Sequence, residues 1–290
     1  MAGDGISLRC KLPDDAFGAA WDAIKLEPAV RQRLLAQALL ILNVRQKLSF
    51  EQAPLHGLLL LVGPPGTGKT TLARGLAHQI ARHLSGTKTS FIQIDPHALT
   101  GASLGSSQKA VAKLFEQTLP EAALGGVAIV LLDELETLAA DRQRLSLEAN
   151  PVDVHRATDA VLSGMDALTR AHKNILLIGT SNFPKALDRA VLSRADLIED
   201  IGLPNAEARR DIIADTLKSL GAIWPKIRAL EPDAAHFAKL ADGLDGRALR
   251  KAILSAGATD LATAQDLNTL TRHHIETTLR KAVATAKGLA

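Results

Sequence analysis

Short runs of apolar residues alternate with longer stretches in which apolar residues recur every three or four positions. The short runs are typical of buried strands, and the longer spacing is typical of helices that bury one face. Helices are predicted from Trp21 to about Lys47 and from Lys69 to about His83. The predicted strands are Leu58–Val62, Ser90–Ile94, Val127–Leu132, Ile175–Gly179 and Leu197–Ile201. Short apolar strands separated by helices predict an α/β fold whose five-stranded sheet is mostly parallel.

The pattern changes after Pro204, where the strand-like runs stop and only helical spacing continues. Helices are predicted over Ala206–Leu220, Pro232–Ala241, Arg247–Ala258 and about Leu267–Lys287. The first 19 residues carry Gly3, Gly5, Pro13 and Gly18, which favours a loose segment. We therefore expect a flexible leader over residues 1–19, a large α/β domain over residues 20–204 and a small helical lid domain over residues 205–290.

The composition limits the expected cellular location and the expected partners of the chain. No apolar run approaches the roughly 20 residues of a membrane span, and the N-terminus shows no signal peptide. The single cysteine, Cys10, cannot form an internal disulfide. A cytoplasmic protein without a membrane partner is therefore the expectation. The net charge of +3 neither requires nor excludes nucleic acid, but 3% aromatic residues without tyrosine argue against a base-stacking surface.

A glycine-rich loop joins the first predicted strand to the helix that begins at Lys69. Its sequence, Gly63-Pro-Pro-Gly-Thr-Gly-Lys-Thr70, fits the eight-residue phosphate loop of nucleoside-triphosphate hydrolases. The glycines let backbone N–H groups point at phosphates, and Lys69 is expected to reach the β and γ phosphates while Thr70 binds magnesium. A plain glycine turn would not explain Lys69 and Thr70. The predicted ATP-binding residues are Gly63, Pro64, Pro65, Gly66, Thr67, Gly68, Lys69, Thr70 and Thr71.

Polar residues follow two other predicted strands. Asp133 and Glu134 end the run Val127–Leu132, and Asn182 follows the strand that begins at Ile175. Ligands bind at the carboxyl ends of parallel strands, so Asp133 is expected to face magnesium through a water molecule. Glu134 is expected to orient and deprotonate the attacking water, with Asn182 beside the γ-phosphate. The alternatives are an acidic pair that begins a helix and an asparagine that only forms a turn.

Two arginines could complete such a site. Arg194 lies between Ser193 and Ala195 and could supply positive charge to the γ-phosphate in a neighbouring subunit. Arg247 opens a helix of the lid domain and could contact the nucleotide. The residues alone favour a surface arginine at position 194, and Arg247 could equally be solvated.

The phosphate loop, Asp133-Glu134, Asn182, Arg194 and Arg247 together resemble the AAA+ ATPases in order and spacing, over about residues 20–287. Three segments resemble the pachytene checkpoint protein group more closely: Asn150–Asp166, Gly179–Phe183 with Leu187–Pro204, and Leu244–Lys251. The step Arg194-Ala-Asp196 is typical of that group. By this resemblance Arg194 is a finger that acts in trans, and Arg247 is the second sensor.

The resemblance implies a ring hexamer that uses ATP and magnesium to unfold part of a HORMA-domain protein and release its partner. Because the ATPase pattern begins near Trp21, the adaptor-binding domain of the eukaryotic members is expected to be absent. The chain is similar to compact bacterial relatives that act on HORMA proteins paired with cyclic-oligonucleotide synthases (CD-NTases) in antiphage defence. Where an aromatic residue normally grips the substrate, Leu104 is the only bulky candidate.

Two other functions stay open at this point. A related motor or transposition helper acting on nucleic acid would need a basic pore or stacking aromatics, which the composition argues against. A nucleotide switch without hydrolysis would not need Glu134, Asn182 and Arg194.

Overall fold

The computed structural model describes residues 5–99, 106–141 and 151–288. The chain forms two compact units. The first, called the sheet unit, contains the chain up to Ile24, Pro28–Gly63 and Lys69–Ile201. The second, called the helical unit, contains Lys25–Glu27, Pro64–Gly68 and the chain from Gly202 onward.

The sheet unit contains a sheet of six strands, one more than predicted. The strands are β1 (Ile6–Leu12), β2 (Leu58–Val62), β3 (Thr89–Ile94), β4 (Val127–Leu132), β5 (Ile175–Ser181) and β6 (Leu197–Asp200). Their spatial order is β1-β3-β4-β5-β2-β6. Strands β2 to β6 pair in parallel, as predicted, and their bounds agree with the apolar runs to within two residues. Every residue of β2, β4 and β5 is buried, which explains why these strands read as continuous apolar runs.

The additional strand corrects the prediction of a flexible leader. β1 pairs antiparallel with β3, with Cys10 opposite Phe91, at the edge of the sheet. The prediction gave weight to glycine and proline and overlooked the alternation of apolar and polar residues along Ile6–Leu12, which is the signal of a half-buried strand. Helix α1 (Asp15–Ala23) follows, and the side chain of Asp14 caps it by accepting a hydrogen bond from the Phe17 N–H.

The long helix predicted over Trp21–Lys47 is wrong as a single element. Helix α1 ends at Ala23, and helix α2 runs over Pro28–Lys47. Proline is tolerated in the first turn of a helix and disfavours helical geometry in the residue before it, so Pro28 separates the two helices. Helix α3 (Lys69–His83) agrees with its prediction.

The other helices of the sheet unit connect the strands. They are α4 (Pro96–Leu99), α5 (Ser106–Lys113), α6 (Leu119–Ala122), α7 (Pro151–Ala171) and α8 (Arg189–Arg194), with a π-helix at Leu114–Thr118 and 3₁₀ helices at Leu135–Thr137 and Pro184–Ala186. Side chains from α5, α7 and the π-helix pack on β4 and β5 to form a core that includes Val111, Phe115, Val130, Val161 and Leu177.

The helical unit contains no strand within the described residues, as predicted. Its helices are α9 (Ala206–Ile223), α10 (Ala234–Leu240), α11 (Gly246–Ala256), α12 (Leu261–Gln265) and α13 (Arg272–Gly288), with 3₁₀ helices at Pro225–Asp233 and Leu267–Thr269. Pro232 lies inside the 3₁₀ helix Pro225–Asp233, and the predicted helix begins two residues later, at Ala234. The unit has its own core, in which Ile213, Phe237, Leu249, Ile253 and Leu279 are fully buried.

None of the helices in the described ranges is both long enough and apolar enough to cross a membrane. The predicted substrate contact Leu104 lies outside the described residues.

Candidate active site

The register of the parallel strands brings the predicted polar residues together. Leu132 at the end of β4 lies opposite Gly179 of β5, and Val62 at the end of β2 lies opposite Ser181 of β5. The three strand ends therefore meet at one edge of the sheet. Asp133, the end of β5 and the start of the phosphate loop all lie at this edge, as the sequence predicted.

Lys69 occupies a buried position at the start of α3. Its ammonium donates a hydrogen bond to the Gly63 carbonyl at 2.8 Å, and the residue is only 5% exposed. Burial lowers the pKa of Lys69, although Glu136, Asp133 and Asp200 oppose this shift. A buried cation beside a glycine loop is stabilised by an incoming anion, so this position fits a phosphate group.

The backbone of the loop requires glycine where the phosphate-loop pattern has it. Gly63 has φ of 139°, and a Cβ atom there would lie 2.3 Å from the Ile201 carbonyl oxygen. Within the helical unit, Gly66 has φ of 82°, and a Cβ atom on it would lie 2.3 Å from Asp245 Oδ1. In the same segment the Thr67 hydroxyl donates to the Pro64 carbonyl at 3.0 Å. The loop conformation thus depends on glycine at two independent points.

Asp133 is the centre of a hydrogen-bond network. Its Oδ1 accepts from the hydroxyls of Thr70 at 2.9 Å and Thr180 at 2.5 Å, and its Oδ2 accepts from Gln93 Nε2 at 3.3 Å. Arg74 donates two hydrogen bonds to the Gln93 Oε1, at 3.0 and 2.6 Å. The network joins α3, β3, β4 and β5, so the carboxylate is held from several sides.

The pair of Thr70 and Asp133 fits magnesium. Mg²⁺ prefers oxygen ligands and is usually bound through one or two carboxylates while it keeps several waters. A hydroxyl and a carboxylate oxygen that already contact each other supply such ligands. The residues present are therefore suited to the metal that the phosphate loop implies.

Glu134 has an unusual backbone. Its φ of 49° and ψ of 53° are left-handed, and within the described chain it is the only residue other than glycine with positive φ. Its N–H donates to the Thr180 hydroxyl at 3.1 Å. The Asn182 amide nitrogen lies 3.5 Å from Glu134 Oε1, and His97 Nε2 lies 3.2 Å from Oε2. Left-handed conformations cost about 1–3 kcal/mol and cluster at active sites, which supports a functional role for this residue.

Glu136 is an acid that the sequence analysis overlooked. Its Oε1 accepts a hydrogen bond from the Asn182 backbone N–H at 3.0 Å, so Glu136 helps to place Asn182. Its Oε2 is buried and has no hydrogen-bond partner among the described residues. Glu136 is also the acid with the largest effect on the pKa of Lys69. The missed signal was its spacing, two positions after Glu134, which places it in the 3₁₀ turn at this edge of the sheet.

Arg194 is held by a carboxylate of its own chain. Its Nε and NH2 donate to the two oxygens of Asp166 at 2.8 and 2.7 Å, and its NH1 donates to the Ala190 carbonyl at 2.9 Å. This pair lowers the pKa of Asp166 and raises the pKa of Arg194. Asp166 lies on α7, and the sequence analysis gave it no role. The action of Arg194 in a neighbouring subunit stays a prediction.

The segment after Arg194 is tied to the strand that leads into the phosphate loop. The Asp196 carboxylate accepts three backbone hydrogen bonds, from the N–H groups of His56, Gly57 and Leu58 at 2.9, 2.6 and 3.1 Å. Burial raises the pKa of Asp196, and these hydrogen bonds oppose the shift. In the Arg194-Ala-Asp196 step, Asp196 therefore anchors the backbone.

Arg247 begins α11 in the helical unit. The Asp245 side chain caps this helix by accepting hydrogen bonds from the Arg247 and Ala248 N–H groups, at 2.8 and 2.9 Å. The cap fixes the backbone of Arg247 in the first helical turn. Contact between the Arg247 side chain and a nucleotide stays a prediction.

A buried lysine in a phosphate loop and an acidic pair after a parallel strand at the same edge of the sheet together define a P-loop nucleotide-binding site. Residues 59–203 match the profile of the ATPase family associated with various cellular activities (AAA). The chain belongs to this family.

Two curated relatives place it more narrowly. The chain is 48% identical over 281 residues to CD-NTase-associated protein 6 of Pseudomonas aeruginosa. This alignment covers 96% of this chain and 92% of that protein. It is 34% identical over 214 residues to the pachytene checkpoint protein 2 homolog of Arabidopsis thaliana. This second alignment covers 72% of this chain and 45% of the plant protein. The chain thus spans about half the length of the plant protein. The resemblance to the pachytene checkpoint group is confirmed.

A solved structure shares the fold over nearly the whole chain. A chain in the structure of the E. coli MS115-1 HORMA:CdnC:Trip13 complex matches with a TM-score of 0.74 and 20% identity, covering 97% of this chain and 96% of that chain. At this identity the match supports the fold alone. It confirms the predicted architecture of an AAA sheet followed by a helical region, with six strands instead of five.

Proposed function

We propose that this protein is an ATP-driven remodeller that works as a homo-hexamer, partially unfolds a HORMA-domain protein and releases its bound partner. In this role it would act as a negative regulator of a cyclic-oligonucleotide antiphage defence system. The 48% identity to CD-NTase-associated protein 6 over 96% of the chain supports a link to a CD-NTase. A chain with the same fold occurs in a HORMA:CdnC:Trip13 complex, which makes a HORMA-domain protein the substrate to test.

The hydrolytic part of the proposal depends on one observation. Thr70, Asp133 and Thr180 form a connected set of hydrogen bonds, and the strained Glu134 follows directly, with its carboxylate about half exposed. One carboxylate is thus held beside the phosphate loop, while the next remains accessible to water. A P-loop hydrolase needs one acid that helps to hold magnesium and a second residue that orients the attacking water.

The residues divide the chemistry as follows. Lys69 and the backbone of the glycine loop would bind the β and γ phosphates of ATP, and Thr70 and Asp133 would hold magnesium, the latter through water. Bound magnesium would neutralise negative charge on the phosphates. Glu134 would orient the attacking water and accept its proton, and Asn182 would position the same water.

The two arginines would serve the transferred phosphate from different places. Arg194 would exchange Asp166 for the γ-phosphate of a neighbouring subunit, where its charge stabilises the transition state. Arg247 would contact the nucleotide from the helical unit. The hydrolytic cycle would thereby drive movements of the ring that pull on the HORMA-domain protein.

Steady-state ATP hydrolysis tests the proposal. The purified chain is assayed alone and with a HORMA-domain protein bound to its CD-NTase, and the Glu134→Gln variant serves as the control. We expect hydrolysis that the HORMA complex stimulates, and a variant that binds ATP without turnover. Hydrolysis that is unchanged by every HORMA complex tested, in a preparation shown to be hexameric, would contradict the assigned substrate.

A further inference from the structure

A histidine that the sequence analysis did not consider contacts the predicted catalytic base. His97 lies on α4, three residues after the end of β3. Strands β3 and β4 are parallel neighbours, and Ile94 at the end of β3 lies opposite Leu132 at the end of β4. The segments that leave these strands emerge at the same edge of the sheet. His97 Nε2 lies 3.2 Å from Glu134 Oε2 as a result.

The backbone that carries His97 is well anchored. The His97 N–H donates to the Asp95 Oδ1 at 2.9 Å, which fixes the turn between β3 and α4. On either side of His97, Pro96 and Leu99 are buried, and Leu99 belongs to the core of the sheet unit. The His97 side chain is 66% exposed. A solvent-accessible imidazole is thus attached to a well-anchored backbone.

The contact leaves Glu134 able to act as a base. An ionised carboxylate can accept about four hydrogen bonds. In the described structure His97 is placed to use one acceptor position on Oε2, and the Asn182 amide lies 3.5 Å from Oε1. Other acceptor positions stay available to a water molecule. The His97 contact therefore restricts the orientation of the Glu134 carboxylate, and the carboxylate can still accept a proton from water.

An exposed polar contact of this kind elsewhere on a protein surface would contribute little. Here one partner is a glutamate with a left-handed backbone at the edge of a phosphate-loop site. A general base must be held within hydrogen-bond reach of the proton it abstracts, and bases in active sites are commonly oriented by a third group. His97 occupies the position of such a group.

We propose that His97 is a positioning residue for ATP hydrolysis, which orients the carboxylate of Glu134 toward the attacking water. This inference rests on the proposed hydrolytic function of Glu134. It assigns His97 an effect on the chemical step and none on ATP binding.

The test separates kcat from KM in four variants. His97→Ala removes the donor, His97→Phe keeps a ring but cannot donate, and His97→Gln keeps an N–H at the end of its side chain. We expect kcat to fall roughly tenfold in the alanine and phenylalanine variants with KM unchanged, and to recover to within about threefold of the original in the glutamine variant. His83→Ala is the matched control, because His83 is an exposed histidine at the end of α3, and it should leave both constants unchanged.

A combined variant shows whether the effect passes through Glu134. Adding His97→Ala to Glu134→Gln should lower the residual rate no further, because both changes act on one step. Unchanged kcat in the phenylalanine and alanine variants, or a change in KM alone, would overturn the role of His97 while Glu134→Gln still abolished turnover. A chain without ATP hydrolysis, or full turnover by Glu134→Gln, would overturn both this inference and the proposed hydrolytic function.

Discussion

The surroundings of Asp133 and of Arg194 show two ways of holding a charged group. Asp133 accepts hydrogen bonds from three side chains that come from α3, β3 and β5. Arg194 is held mainly by one carboxylate, Asp166, which is 43% exposed. Several groups of its own chain thus hold Asp133, whereas a single, partly exposed carboxylate is the main partner of the Arg194 guanidinium. This contrast fits the proposal that Asp133 serves the chain's own nucleotide and Arg194 serves a neighbour's.

The energetic contrast agrees with this division. Partly exposed ion pairs usually contribute about 1 kcal/mol or less, and the bidentate geometry places the pair of Arg194 and Asp166 toward the stronger end of that range. A triphosphate carries more negative charge than one carboxylate, which would favour the proposed exchange of Asp166 for a γ-phosphate. For Asp133 to change partners in a similar way, it would have to lose several hydrogen bonds at once.

The largest expected effect comes from removing the arginine. Arg194→Ala should lower kcat by roughly a thousandfold, the low end of the range for arginine fingers. If Arg194 acts in a neighbouring subunit, mixing Arg194→Ala with Glu134→Gln should restore part of the activity. Sites that combine an intact Glu134 with a neighbour's intact Arg194 then form.

ATP hydrolysis measured across mixing ratios checks this point. The matched control is Arg189→Ala, which removes an exposed arginine at the start of the same helix, α8, and should leave kcat unchanged. Mixtures that never exceed the sum of the two separate rates would show that Arg194 does not act across subunits.

A smaller effect is expected at the Asp133 network. Thr180→Val removes the hydroxyl that donates to Asp133 and accepts from the Glu134 N–H. Loss of both contacts should lower kcat roughly tenfold, since it loosens the proposed magnesium ligand Asp133 and the proposed base Glu134 together. Thr180→Ser keeps the hydroxyl and should stay within about twofold of the original rate. Equal rates for the serine and valine variants would separate this network from catalysis.

Weakening the holder of Arg194 should matter less than removing Arg194. Asp166→Asn keeps the size of the side chain and removes its charge, so the guanidinium loses its charged partner but remains present. We expect kcat to fall by about threefold with unchanged ATP affinity, because placement is lost and binding is not. Binding of a fluorescent ATP analogue, measured beside turnover, checks both halves. A loss as large as that of Arg194→Ala would mean that Asp166 has a role of its own.

The smallest expected effect is a pH dependence of stability at His56. Burial lowers the pKa of His56; Arg194 and Arg45 act in the same direction, and Asp196 and Asp166 oppose it. The folded chain therefore binds this proton less readily than the unfolded chain. The resulting stability is fully present above the unfolded pKa of about 6.5 and is lost as pH falls below it.

Thermal unfolding at several pH values checks this expectation. Between pH 7.5 and 5.5 the original chain should lose about 1–2 °C more in Tm than His56→Gln, which cannot titrate in this range. Equal losses in the two proteins would contradict the assignment to His56.

Sequence patterns predicted the central strands and the edge at which the site lies. Buried parallel strands such as β4 are continuous apolar runs, and the residue after such a run can be located without coordinates. The edge strand β1 was missed because its signal is an alternation along Ile6–Leu12, close to glycines that suggested a loose segment.

The supporting residues of the site could not be read from the sequence. Gln93 lies inside a strand and His97 just beyond it, and each meets Asp133 or Glu134 only through the pairing of β3 with β4. Asp166 and Arg194 are 28 positions apart in the chain, and the tertiary fold brings them together. Such partners depend on tertiary register, and a single sequence does not specify that register.

Release of a HORMA-domain protein's bound partner tests the central claim most directly. A preformed complex of a HORMA-domain protein with its CD-NTase is incubated with the chain, and partner release is followed with ATP, with ADP, and with the Glu134→Gln variant plus ATP. The account predicts release only with the original chain and ATP. Release with ADP or with Glu134→Gln, or an intact complex despite active hydrolysis, would contradict it.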